Sequence, residues 1–484
     1  MVTASQTHEH VSLLSNREVK LSFGRKIAFA IGGATSALTS TVLAFFLAIY
    51  LLEVAEVEPL YVSVIVFSGR AWDAITDPLI GYLCSRTHSK RFGQLRPWLL
   101  FSIVPMAAFY IGIWIVPSFP NTGTKVLYYL VMYCGFQTAL SAYHVPYTAL
   151  TMHLSTKNEE RDSATAYRMA VELASTLIAA IVQGLILSAK VTKPECTAGQ
   201  VDKPWLTDEK DAYMIAAFTV AAIATICALV AFLGIREQKG ILLPKPLSLW
   251  KGLKFVLHHR PYVYLTMFYL FSWLGTQVVA GNFSLFIEYV MNLRGKFQNF
   301  IIVLLVSACV AMPGWQLASI KIGKTATFVI GVLFSFPGLI SLLYITPNLV
   351  SLMYALAALA GLGTAVSYLI PWSMLPDVID DAELEFGERR ESLFYAFFVF
   401  FQKFAVGVSL GLSTVALQVF GGYETGACEQ PESVSETLRV LLAAPPVVLN
   451  VISFWFVWKY PINKARAFAT RKTLLESGGT AVDT

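Results

Sequence analysis

Two aspartates one helical turn apart, Asp73 and Asp77, stand inside the run Gly69-Arg70-Ala71-Trp72-Asp73-Ala74-Ile75-Thr76-Asp77-Pro78. At i and i+4 their carboxylates share one face of a helix and repel each other. An ionised Asp at the centre of a bilayer-crossing helix costs on the order of 2.5 to 3.5 kcal/mol, so something must offset two of them. A bound cation would do so, as would protonation of one carboxyl. Pro78 favours the cation: it has no amide hydrogen, which leaves the carbonyl of Ala74 as a further oxygen donor. Ligation by oxygen alone suits a hard ion, Na+ or H+. The plainer reading, a structural ion pair between Arg70 and Asp73, leaves Asp77 unexplained.

A lone cation, Lys403, lies in the aromatic run Phe397-Phe398-Val399-Phe400-Phe401-Gln402-Lys403-Phe404. Its ammonium cannot readily snorkel to water from mid-depth, so it is expected to face the interior, toward the two aspartates or an anionic group of a substrate. Phe400 and Phe404 beside it suit an acyl chain, unless they face bilayer lipid. Gln137, Ser141, His144, Thr148 and Thr151 recur at spacings of four, three, four and three, a polar stripe that lines an aqueous cavity or makes interhelical hydrogen bonds. The cavity is the favoured reading. Arg168 and Glu172, again at i and i+4, read as a gate or a structural ion pair rather than a binding site.

The elements that carry these residues are membrane helices. Of 484 residues, 56% are hydrophobic and 14% charged, with a mean hydropathy of +0.61; a soluble domain carries roughly 25% charged residues. Apolar runs fall at about 26–52, 60–85, 97–116, 125–150, 168–190, 211–234, 262–290, 297–320, 326–346, 349–376, 392–420 and 437–459, each near the roughly 20 residues a bilayer requires. The expectation is an all-α membrane protein of twelve transmembrane helices. Lys and Arg mark the cytoplasmic side: Arg17, Lys20, Arg25 and Lys26, then Arg86, Lys90, Arg91 and Arg96, then Lys245, Lys251, Lys254 and Arg260, and finally Lys464, Arg466, Arg471 and Lys472. Opposite loops are acidic, with Glu53, Glu56 and Glu58 in the first and Glu424, Glu429 and Glu432 in the last. Both termini are thus expected in the cytoplasm. The first apolar run is too long for a cleavable signal, and the net charge of +5 reflects topology, with no nucleic-acid surface.

Val145-Pro146-Tyr147-Thr148-Ala149-Leu150 is echoed 225 residues later by Ile370-Pro371-Trp372-Ser373-Met374-Leu375. A weaker echo joins Lys90-Arg91-Phe92-Gly93-Gln94 to Ile320-Lys321-Ile322-Gly323-Lys324, at an offset of 230. Two matches at nearly one offset indicate a six-plus-six duplication. Parallel halves of this kind define the major facilitator fold, with the substrate site between them near the midplane. The expected organisation is a tail over 1–25, a six-helix half over 26–235, a cytoplasmic linker over 236–261, a second half over 262–459 and a tail over 460–484. Within the linker, Trp250, Leu253 and Leu257 share a face opposed to Lys251, Lys254 and His258, which reads as an interfacial helix. Cys196 and Cys428 fall in loops on the oxidising side and are expected to form a disulfide across the halves.

Three segments carry a resemblance: Arg-Ala-Trp-Asp-Ala-Ile-Thr-Asp-Pro at 70–78, Glu-Arg-Asp-Ser-Ala-Thr-Ala-Tyr-Arg-Met at 160–169 and Pro-Trp-Ser-Met-Leu-Pro-Asp-Val-Ile-Asp-Asp at 371–381. They resemble the glycoside-pentoside-hexuronide:cation symporter branch of the major facilitator superfamily, and within it the sodium-coupled lysolipid carriers. The resemblance implies a sodium site at Asp73 and Asp77, a part for Lys403 in substrate binding or coupling, and Cys196 and Cys428 as a disulfide pair. It implies import of lysophospholipids, lysophosphatidylcholine with a long-chain fatty acid among them, across the plasma membrane, with the endoplasmic reticulum membrane as a second location. A monomer among membrane lipids is expected, with sodium as coupling ion and no cofactor. Ala280 stands where those carriers have an acidic residue, and the only sequon, Asn282-Phe283-Ser284, lies inside a span. The competing readings are a sugar or small-solute symporter, which the scarcity of polar groups in spans seven and eleven disfavours, and a sodium-independent lipid transporter or scramblase. An enzyme is not expected, since the chain has no metal-binding pattern, nucleophile elbow or phosphate loop.

Overall fold

The computed structural model describes residues 22–87, 93–119, 121–154, 158–190, 205–235, 249–293, 297–387, 390–424 and 430–476, and its regular elements are helices. Cys196 and Cys428, most of both tails and the first part of the linker lie outside the described residues. In the first half α1 (Phe23–Ile49) closes in one turn of π-helix, Tyr50–Val54, and is followed by α2 (Pro59–Arg86), α3 (Arg96–Ile113), α4 (Thr122–Leu154), α5 (Asn158–Lys190) and α6 (Trp205–Gly234). After α7 (Leu249–His258) comes the second half: α8 (Arg260–Leu285) with its own π turn Phe286–Val290, α9 (Phe297–Ile322), α10 (Lys324–Leu333), α11 (Phe336–Ser341), α12 (Val350–Phe386), α13 (Glu391–Val419) and α14 (Glu432–Lys459). The chain then runs into α15 (Lys464–Glu476).

Among the described residues, ten helical stretches are long and apolar enough to cross a membrane, which makes this a multi-pass membrane protein. Two further long helices, α2 with 28 residues and α4 with 33, carry Arg70, Asp73, Asp77 and the polar stripe, which dilutes their hydropathy. The expected ninth span is broken between α10 and α11 at Ser335, because Pro337 in the first turn of α11 has no amide hydrogen for the preceding turn. The tenth runs on to Phe386, well past its apolar stretch, and stops where Gly387 takes a left-handed conformation at φ 69°.

Packing repeats with the halves. In the first, α1 lies against α5 and α6, α2 against α4, and α3 against α4 and α6. Six spans later α8 lies against α13 and α14, α9 against α12, and α10 against α12 and α14. The halves meet through two matching contacts, α2 with α13 and α5 with α9, and where α1 meets α8. The two π turns lie 236 residues apart, and each is followed by a non-glycine residue in the left-handed region, Glu56 at φ 50° and Asn292 at φ 54°. The duplication is therefore visible in backbone detail that the sequence echo does not cover.

The linker helix docks on the second half through a face that carries a glycine. Gly252 and Val256 of α7 are buried, and Gly252 lets the helix approach Leu393 and Phe397 of α13, whereas Leu257 is exposed. Beside it on the terminal face, buried His259 places Nδ1 2.8 Å from Glu385 and Nε2 3.6 Å from Asp381. Arg466 of α15 donates to both oxygens of Asp381, at 3.0 and 2.9 Å, and Lys324 reaches Asp377 at 2.6 Å.

Candidate functional site

Close approach of three helices builds the site. Gly69 of α2 receives the ring of Tyr133 from α4, where a Cβ would collide with it. On the other side Gly407 of α13 lies against Arg70, so that a Cβ there would stand 3.1 Å from the Cβ of Arg70. Small residues on facing helices permit such spacing inside a membrane. Lys403, one turn before Gly407, is thereby pointed at α2.

Its ammonium lies 2.8 Å from Asp73 Oδ2 and 2.5 Å from Asp77 Oδ2. The Asp73 side chain is 2% exposed and that of Asp77 22%. Ser141 Oγ of α4 donates to Asp73 Oδ1 at 3.0 Å, and Thr76 Oγ1 is 3.2 Å from Ser141 Oγ. Asp73 is thus held by Lys403 and Ser141 and not by Arg70, whose Nε is buried without a hydrogen-bond partner. Of the two partners open to Lys403 in the sequence, the structure brings it to the aspartates. One ammonium offsets two carboxylates, and Asp77 Oδ1 remains buried without a hydrogen bond. That orphaned oxygen, with Asp73, Thr76, Ser141 and the Ala74 carbonyl four residues before Pro78, is a set of hard oxygen donors that fits a small monovalent cation.

The remaining candidates divide. Gln137 is buried and its Nε2 donates to Tyr133 Oη at 3.4 Å, while Thr148 bonds back to the carbonyls of His144 and Val145 in its own helix. His144 and Thr151 are half-buried, so that of the stripe Ser141 alone is shown touching a carboxylate. Arg168 and Glu172 form a loose pair at 3.6 Å, packed against Gly33 of α1 rather than against the aspartates. Phe400 and Phe404 are exposed at 38% and 44% and stack one turn apart with centroids 6.5 Å apart.

Glu53 escaped the sequence reading, which counted it among acidic loop residues. It lies in the π turn after α1 and accepts hydrogen bonds from the hydroxyls of Tyr289 and Tyr423, both in the second half. The only sequence signal was its place at the edge of an apolar run, and the partners are too distant along the chain for periodicity to find.

Two parallel helical halves that meet over a buried charge cluster are the architecture of a transporter of the major facilitator type. The chain belongs to the family described as MFS/sugar transport protein, whose model matches residues 28–464. It is 42% identical over 493 residues to the sodium-dependent lysophosphatidylcholine symporter 1-B of Danio rerio, covering 97% of this chain and 93% of that one. It is 39% identical over 498 residues to the sodium-dependent lysophosphatidylcholine symporter 1 of Homo sapiens, covering 95% and 89%. The sphingosine-1-phosphate transporter MFSD2B of Xenopus tropicalis is 39% identical over 465 residues, covering 93% and 90%. Among solved structures, a bacterial homologue of the human lysosomal transporter Spinster superposes with a TM-score of 0.68 at 12% identity, covering 94% of this chain and 98% of that one. The xylose transporter XylE of E. coli does so with a TM-score of 0.59 at 15% identity, covering 93% and 98%.

Proposed function

We propose that this protein is a sodium-coupled symporter that carries lysophospholipids, lysophosphatidylcholine among them, across the plasma membrane by alternating access. In this reading it crosses the membrane twelve times, with both termini and α15 in the cytoplasm. The observation that carries the proposal is the bridge from Lys403 in one half to Asp73 and Asp77 in the other. Sodium at the aspartates replaces the ammonium and frees it for the phosphate of the substrate. The two binding events are then coupled through charge balance, at about 1 to 3 kcal/mol for couplings of this kind. The acyl chain runs along apolar surface that includes Phe400 and Phe404. Relatives at about 40% identity with sodium and lysophosphatidylcholine in their names support the substrate class.

Uptake of labelled lysophosphatidylcholine into proteoliposomes, with and without an inward sodium gradient, tests this. Gradient-driven accumulation is expected, with no competition from sugars. Equal flux without sodium would overturn the symport reading in favour of a passive lipid path. Preferential carriage of sphingosine-1-phosphate would overturn the substrate assignment.

A further inference from the structure

The contacts that join the halves are unevenly placed along the membrane normal. Those at Lys403 lie midway. Beyond them, away from the termini, the Leu60 amide at the start of α2 donates to Gln418 Oε1 of α13 at 2.9 Å, and the rings of Phe46 and Phe297 meet with centroids 5.2 Å apart. Farthest out, Glu53 of the first half takes the hydroxyls of Tyr289 and Tyr423 from the second. On the terminal face the described pairs close within a half: Lys26 with Glu160 at 2.8 Å, and His259 with Glu385.

We propose that Glu53, Tyr289 and Tyr423 form the outer gate of the transport path, positioning residues that hold the halves together on the face away from the termini and must part before substrate is admitted there. Geometry gives three reasons. Glu53 and Tyr289 occupy the same position in the two π turns, 236 residues apart, so their contact joins equivalent points of the two halves. A π turn re-aims the last side chains of its helix, since its wider ring shifts the helical register; this turns Glu53 inward from the end of an apolar helix. Both hydroxyls donate to one oxygen, Oε1. Each such bond contributes about 1 kcal/mol net, and these two are lost together when the halves separate. The Tyr289 and Tyr423 rings stand nearly perpendicular, at 83°, and bring both hydroxyls to the half-buried Glu53.

The gate rests on the transport reading, but its test needs neither sodium nor lysolipid substrate. Gln298, buried at the start of α9 against Gly184 of α5, becomes accessible when the outer ends part. Gln298→Cys is labelled with a membrane-impermeant maleimide in purified protein in nanodiscs, where the reagent reaches both faces; the protein without Gln298→Cys supplies the background. Adding Tyr289→Phe and Tyr423→Phe, which keep the rings and remove both donors, is expected to speed labelling at least tenfold. Glu53→Ala in place of the tyrosine changes should do the same. Should the double variant misfold, Tyr423→Phe alone is expected to give a smaller acceleration of the same sign. Unchanged labelling in variants that stay monodisperse and melt with the parent overturns the gate. Accelerated labelling in a protein that carries no lysophospholipid supports the gate and refutes the substrate instead.

Discussion

Replacing Lys403 with alanine separates the two partners that the proposed cycle alternates between. In the structure the ammonium stands 2.8 and 2.5 Å from two carboxylates, so sodium must displace it to bind there. Hydrogen bonds to charged groups contribute roughly 1.5–3 kcal/mol each. At the lower end two of them amount to about 3 kcal/mol, or on the order of 100-fold in affinity at 1.4 kcal/mol per decade. Lys403→Ala is therefore expected to bind sodium on the order of 100-fold more tightly than the parent, provided the aspartates keep their places. Without sodium the same variant loses stability, because removing one member of a buried pair costs about 3–5 kcal/mol. Thermal unfolding in nanodiscs, titrated with sodium against N-methylglucamine, reads both effects: a lower melting temperature without sodium and a steeper rise as sodium is added. Uptake of lysophosphatidylcholine should fall strongly in Lys403→Ala and in part in Lys403→Arg, whose fork keeps the charge but not the point geometry. A sodium affinity equal to or weaker than that of the parent would refute the competition, and normal uptake would remove Lys403 from the mechanism.

Asp73→Asn or Asp77→Asn should abolish sodium-driven uptake while leaving surface expression intact; sodium-dependent transport in either variant at the parent rate would dismiss the ion site. Ser141→Ala removes one donor to Asp73 and is expected to change the apparent sodium affinity by roughly fivefold, within the about 1 kcal/mol typical of a single hydrogen bond, by the same titration. Gly69→Leu sets a side chain into the Tyr133 ring and should cost several kcal/mol as overpacking, seen as loss of monodisperse protein; normal yield would show that α2 and α4 can separate. Cys196 and Cys428 should resist alkylation until reduced, and rapid labelling of both without reductant would exclude the bridge.

What could be read in the sequence was what local spacing encodes. Asp73 and Asp77 on one face followed from four-residue separation, and the parallel halves from a repeated Pro-aromatic-hydroxyl segment. Lys403 could be assigned to the interior but not to a partner, since 326 residues separate it from Asp77. The polar stripe on α4 was a true face of the helix, yet periodicity cannot tell a hydroxyl that reaches a carboxylate, as Ser141 does, from one that folds back on its own carbonyls, as Thr148 does. Glu53 was misplaced because a single π turn leaves no mark on a hydropathy profile. The docking of α7 left no mark for a related reason: Gly252 has no hydrophobicity to register, but its missing side chain lets the helix approach α13.

The Leu60 amide is one of the orphan donors at the start of α2, and its acceptor belongs to the other half of the molecule. Whenever the outer ends part, that donor must turn to water, and in water an amide exchanges its hydrogen. Exchange of this one proton therefore reports events at the outer end, separation of the halves or release of the Gln418 side chain at this exposed position, rather than unfolding. Deuterium uptake over the first turn of α2, compared with the interior of the same helix, would time the cycle at rest with no label attached and no substrate present.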